Sequence, residues 1–155
     1  MRFPNPMSDS HKKILKWLKQ VIAKPRSKLG GHAVCPYLND YWHKTMMVET
    51  TTPENVVESF THFKDIFHLE AVVVNGFDWD YDYMHEQINR WNKRYRKRDV
   101  ICLGMHPDTE QEPLGFAYTY THEPLIIIQR ISTLKNSRLQ LKETDYYTYF
   151  NRKTK

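Results

Sequence analysis

The run Ala71-Val72-Val73-Val74 constrains this chain more than any other stretch. Consecutive β-branched residues with no polar alternation do not suit a half-wetted strand, because every second side chain would face water. They suit a strand covered on both faces, and in α/β proteins the cover is helical. Gly76 closes the run, and the flanking sequence must then supply the helices.

It does so on both sides. Val56, Val57, Phe60, Phe63 and Phe67 recur at helical spacing behind Thr52-Pro53-Glu54. There the threonine can cap, the proline fits the first helical position and the glutamate meets the positive end of the dipole. This predicts a helix over 53–68. Beyond the strand, Asp78, Asp80 and Asp82 open a second helix over 79–97, with Met84, Ile88, Trp91 and Tyr95 on one face and the cations Lys93 to Arg98 at its end. Short β-rich runs at 45–50 and 99–105 supply two more strands. Crossovers of this length predict a βαβαβ core with parallel strands, a two-layer or three-layer α/β sandwich, with a ferredoxin-like mixed sheet as the alternative.

The remaining elements flank that core. Ile14, Leu15, Leu18, Val21 and Ile22 predict an amphipathic helix over 10–24, ended by Pro25. Gly30-Gly31 and Cys35-Pro36 make 26–43 a structured loop. Phe116, Tyr118 and Tyr120 alternate and predict a strand over 114–121. Pro124 then opens a predicted C-terminal helix with Leu125, Ile128, Ile131 and Leu134 on its buried face. Residues 1–9 read as a flexible arm, 10–143 as a single α/β domain and 144–155 as an aromatic and basic tail. A length of 155 residues suits one such domain.

Composition narrows the function classes. The longest apolar runs, such as Leu125 to Ile128, are far short of the roughly 18 residues that cross a bilayer, so no membrane partner is expected. Two cysteines, Cys35 and Cys102, do not make a disulfide scaffold, and the start of the chain lacks an apolar stretch, which together suggest a cytoplasmic location. Lys and Arg total 23 against 18 Asp and Glu, a net charge of +5 that permits weak attraction to polyanions without requiring it. The run Lys93 to Arg98, beside Trp91 and Tyr95, is the nucleic-acid candidate. Cations at a helix C-terminus are favoured by the dipole whatever the partner, so no specific nucleic-acid partner is expected. No phosphate-cradling glycine loop, nucleophile elbow or dinucleotide fingerprint is present.

Two loops carry candidate chemistry. Cys35 precedes Pro36 and follows His32 by three residues, an arrangement that would activate a thiolate nucleophile if the imidazole faced it; the plainer alternative is a small buried residue. His106-Pro107-Asp108 follows the third predicted strand, where parallel sheets bind ligands. His106 would be a general base oriented by Asp108, or simply part of a turn. A metal reading gathers His32, Cys35, His106 and His122, donors that suit a transition metal such as zinc, although they come from separate segments without close paired spacing. Asp78, Asp80 and Asp82 do not begin a calcium loop, because Tyr83 and Asn89 stand where glycine and glutamate are needed.

Trp17, Cys35-Pro36-Tyr37, Phe77-Asp78, His106-Pro107-Asp108 and Pro124-Leu125 with Arg130 occur in that order. In this the chain resembles the domain-of-unknown-function 1415 family of uncharacterised bacterial proteins over most of residues 10–135. It departs from the family at Phe116 to Glu123, where the family carries an Asn- and Arg-bearing segment, so no anion-binding role is transferred there. The resemblance singles out Cys35, His106 and Asp108 as residues to test together, and it supplies no substrate.

Two functional readings follow. One is an enzyme-like cleft for a small-molecule or peptide substrate, thiol- or metal-dependent, built from the Cys-Pro and His-Pro-Asp loops. The alternative is a non-catalytic protein that binds a macromolecular partner, such as another protein, through Tyr146, Tyr147, Tyr149 and Phe150 with Arg152, Lys153 and Lys155. Whether Cys35 and His106 meet discriminates the two.

Overall fold

A computed structural model describes residues 7–62, 68–109 and 118–148. The β-branched run forms β2 (Ala71–Asn75), which lies inside a sheet of four strands among the described residues. On one side it pairs in parallel with β1 (Thr45–Glu49), Thr45 opposite Ala71 and Glu49 opposite Asn75. On the other it pairs antiparallel with β4 (Leu125–Arg130), Ile128 opposite Val72. The edge strand β3 (Val100–Met105) pairs antiparallel with β4, giving the order β1-β2-β4-β3. The three predicted strands do share one sheet and run in one direction. The reversed β4 stands between β2 and β3, so the sheet is mixed rather than wholly parallel.

β4 corrects one expectation outright. The predicted helix opening at Pro124 is a strand up to Arg130, and only then does helix α4 (Ile131–Lys142) begin. A short apolar run at the centre of a sheet has no periodicity of its own, and Leu125 and Ile128 fall at helical spacing by accident. Ile126 and Ile128, fully buried, show what the run is for. Of the strand predicted at 114–121, residues 114–117 lie outside the described residues, and 118–121 are not in a strand.

Helices cover both faces. Even-numbered β2 residues, Val72 and Val74, face α2 (Pro53–His62) and α3 (Tyr81–Tyr95), where Val57, Phe60, Met84, Ile88, Trp91 and Tyr95 close one core. Residues 63–67 of the helix predicted over 53–68 lie outside the described residues. α3 lies directly on β3, since a Cβ on Gly104 would stand 2.5 Å from Ile88 Cδ1 and 2.8 Å from Met84 Cε. Val73 faces the opposite way, toward Met47, Leu125 and the Ile14, Trp17, Leu18 and Ile22 face of the first helix. That helix is α1 (Asp9–Trp17), capped by the Ser8 hydroxyl on the His11 amide and continued by a wider π turn to Ile22. The rest of the second face is covered by the Cys-Pro loop and α4. These residues form a three-layer α/β sandwich. Among the described residues no helix is long and apolar enough to cross a membrane.

Two polar devices finish the edges. The Asp99 carboxylate receives the Ser132 amide at 2.7 Å and its hydroxyl at 2.6 Å, a cap supplied across the sheet to the first turn of α4. On the outer side of β3, the Asn92 carboxamide donates to the Cys102 carbonyl at 3.1 Å and accepts from the Cys102 amide at 2.8 Å. One side chain thus occupies backbone groups that would otherwise recruit another strand.

Candidate functional site

The Cys-Pro loop, the sheet and α4 do not close completely on one another. Between them lies a cavity of about 340 Å³, within the range of small-molecule sites. It sits at the amino ends of β1 and β2, with Thr45, Ala71 and Gln129 on its floor, Cys35, Tyr37 and Tyr41 on the loop side, and Thr133, Ser137 and Leu141 on the helix side. Tyr146 and Tyr147 line it from the C-terminal segment.

The polar groups around it are largely committed to one another. Thr45 donates to the Tyr41 carbonyl at 2.9 Å, Thr133 donates to the Glu70 carboxylate, and the Tyr146 hydroxyl donates to the Val34 carbonyl at 2.6 Å. Arg130 turns to the other face, donating to the carbonyls of Phe60 and Leu69 and stacking on the Phe60 ring at 3.6 Å. The Gln129 amide and the Ser137 hydroxyl have no hydrogen-bond partner among the described residues. The cavity is therefore mostly apolar-walled, with the Gln129 amide, the Ser137 hydroxyl and the exposed Arg138 side chain at its border free to meet a ligand.

Tyr146 is 5% exposed, which corrects the reading of this tyrosine as part of an exposed tail. Beside it Asp145 meets the His32 imidazole at 2.6 Å, and the His32 ring stands edge-on to Tyr146. The segment 144–148 is thereby strapped over the Cys-Pro loop. Tyr149, Phe150, Arg152, Lys153 and Lys155 lie outside the described residues.

The structure keeps Cys35 and His106 apart. Cys35 packs toward the α1 face and lines the cavity at the amino ends of β1 and β2, whereas His106 follows the carboxyl end of β3 and is held against the Trp79 carbonyl, so the two lie at opposite ends of the sheet. Burial pushes the Cys35 thiol above its ordinary pKa, and the weaker opposing pull of the Tyr37 and Leu38 amides does not reverse this. An activated thiolate shows the opposite direction. Cys102, inside β3, is pushed up to about 12 by burial alone.

Both nitrogens of His106 are occupied. The Nε2 lies 2.9 Å from the Trp79 carbonyl and must donate to it, while Nδ1 accepts the Asp108 amide at 3.1 Å. The Asp108 carboxylate is farther off, at 3.7 Å from Nδ1. A neutral imidazole that ties the turn to the start of α3 accounts for these contacts. Its neighbour His85 has its pKa lowered, chiefly by burial. Of the proposed metal donors, His32 is paired with Asp145, Cys35 lines the cavity, His106 is bound to Trp79, and exposed His122 lies against Tyr120 with ring centroids 5.3 Å apart. Among the described residues no three His, Cys, Asp or Glu side chains are grouped to hold a metal ion.

A polar cluster that the sequence reading missed occupies the carboxyl ends of β1 and β2. His11 and Asn75, both fully buried, meet at 2.7 Å through Nε2 and Oδ1. The Asn75 amide donates to Glu123 at 2.6 Å and to Glu49 at 3.5 Å, which orients its oxygen toward His11. Tyr120 stands beside this cluster, its phenol pushed up to about 12 by burial and by the Glu123 charge. Backbone closeness sets the geometry: Gly76 has φ +93°, and a Cβ there would lie 2.8 Å from Glu49 Cγ. His11 shares the Ile14 face of α1, and Asn75 ends a β-branched run. Those are the signals by which the pair could have been found.

No protein-family model, curated protein or solved structure matches the chain.

Proposed function

We propose that the chain is a small-molecule-binding protein whose site is the cavity under the Cys-Pro loop. The carrying observation is an apolar-walled space of about 340 Å³ in which Gln129 and Ser137 present unengaged hydrogen-bonding groups. A compact ligand of one or two rings, bearing a carbonyl, amide or hydroxyl, suits that combination of walls and polar groups. Cys35 contributes wall rather than nucleophile, in keeping with the upward direction of its pKa. The enzyme-like reading keeps its Cys-Pro loop and loses the His-Pro-Asp loop as catalytic partner.

The test uses N-phenyl-1-naphthylamine, a neutral fluorophore whose naphthyl and phenyl groups are joined by a hydrogen-bonding amine and which brightens when dehydrated. Saturable binding to the parent chain, abolished by Ser137→Phe with the unfolding midpoint retained, supports the site. Absence of binding, or equal binding by Ser137→Phe and the parent, overturns it.

A further inference from the structure

Next to the cavity, across the Leu134 and Arg138 ridge of α4, lies a second groove, of about 490 Å³, between the end of α3 and α4 along edge strand β3. Its walls carry Lys93 and Arg96 from α3 and the turn that follows, and Lys135 and Arg138 from α4. Ile101 and Leu134 contribute an apolar floor. All four cations are exposed, and none pairs with a carboxylate among the described residues. Asp99, the acid at this end of the sheet, is turned onto Ser132.

The helix dipole explains only part of this arrangement. Lys93 and Arg96 stand at the C-terminal end of α3, where a cation is favoured. Lys135 and Arg138 stand between the first and last turns of α4, where the dipole favours no cation. Four like charges in one groove repel one another, and a multivalent anion relieves that repulsion while gaining charge-assisted hydrogen bonds. The groove has no aromatic side chain among its described lining residues, so it lacks a stacking platform for bases.

We propose that this groove binds phosphate groups, two or more at a time, through Lys93, Arg96, Lys135 and Arg138. The phosphates come either from a small polyphosphorylated molecule or from the backbone of a nucleic acid read without regard to sequence. Both sources share the same chemistry, and the groove is distinct from the proposed cavity, although Arg138 and Leu134 border both.

The experiment titrates the full chain with inorganic tripolyphosphate and, separately, with a mixed-sequence 12-nucleotide single strand, by calorimetry at low and physiological salt. The comparison is between Lys93→Gln/Lys135→Gln and a control of equal charge change, Lys24→Gln/Lys44→Gln. Saturable binding, weakened tenfold or more by the groove double variant and less than threefold by the control, supports the proposal. Tighter binding of tripolyphosphate than of the strand assigns the phosphates to a small molecule, and the reverse assigns them to a nucleic acid backbone. No saturable binding of either probe, or equal weakening by both double variants, overturns it. Fluorophore binding in the cavity is unchanged by Lys93→Gln/Lys135→Gln, so failure of one site is distinguishable from failure of the other.

Discussion

Replacing Asn75 with alanine removes the side chain that joins α1 to the end of the sheet, and the structure sets the size of the loss. His11 is 0% exposed, and its Nε2 has Asn75 Oδ1 as its hydrogen-bond partner. Its Nδ1 has no partner among the described residues, so Asn75→Ala leaves the whole imidazole buried and unsatisfied. A buried polar group stripped of its partner costs about 1–3 kcal/mol. Glu123 is half-buried and Glu49 exposed, so both can turn to water and add little. With the small cavity left by the lost carboxamide, Asn75→Ala should destabilise by about 2–4 kcal/mol. The assay is urea unfolding followed by tryptophan fluorescence, where a slope of about 1–3 kcal/mol per molar converts that loss to a midpoint lower by about 0.7 M or more. The double variant His11→Phe/Asn75→Leu removes both polar partners and should recover much of the loss, because an apolar pair has nothing left unsatisfied. A loss below about 0.5 kcal/mol for Asn75→Ala, or a double variant as damaged as the sum of the singles, would refute the reasoning.

Three further outcomes follow from contacts elsewhere in the fold. Asn92→Leu unmasks the outward amide and carbonyl of Cys102 on β3 and should cost about 1–3 kcal/mol while promoting self-association, read by sedimentation velocity; an equally stable monomer contradicts the edge-blocking role. In a Cys102→Ser background, Cys35 should react with iodoacetamide more slowly than free cysteine across pH 7–9, and His106→Ala should leave the rate unchanged; fast labelling that depends on His106 contradicts the separation of the two residues. For Cys35, Cys102 and Tyr120 the folded-state pKa is raised, so the folded chain binds more protons than the unfolded chain above about pH 9, and stability falls as pH rises through that range.

Much of the sheet was legible because its signals are local. The β-branched run 71–74, the Thr52-Pro53-Glu54 helix start and the α3 stripe of Met84, Ile88, Trp91 and Tyr95 each carry their own pattern, and each became the expected element. Leu125–Arg130 did not, since an apolar run that short reads equally as strand or helix and Pro124 pointed to a helix start. That one misreading hid the site. Gln129 faces the cavity only because β4 is a strand, and Ser137 only because α4 begins after it. Cys35 was visible as a loop residue bounded by glycines and proline, yet its supposed partner was chosen by position along the chain. Contacts such as His11 with Asn75, 64 residues apart, depend on the packing of α1 across the sheet, so the local pattern places each residue on a buried face without pairing the two.

The claim that the cavity under the Cys-Pro loop is a ligand site is tested most directly by mapping where a ligand binds. Amide and methyl chemical shifts of the isotope-labelled chain should be followed as N-phenyl-1-naphthylamine is added. Saturable shifts should gather at Val34, Cys35, Leu38, Ala71, Gln129 and Leu141, and the Ser137→Phe variant should show none of them. Shifts confined to Met46, Val56 and Val72 on the opposite face, or scattered without saturation, would contradict the account.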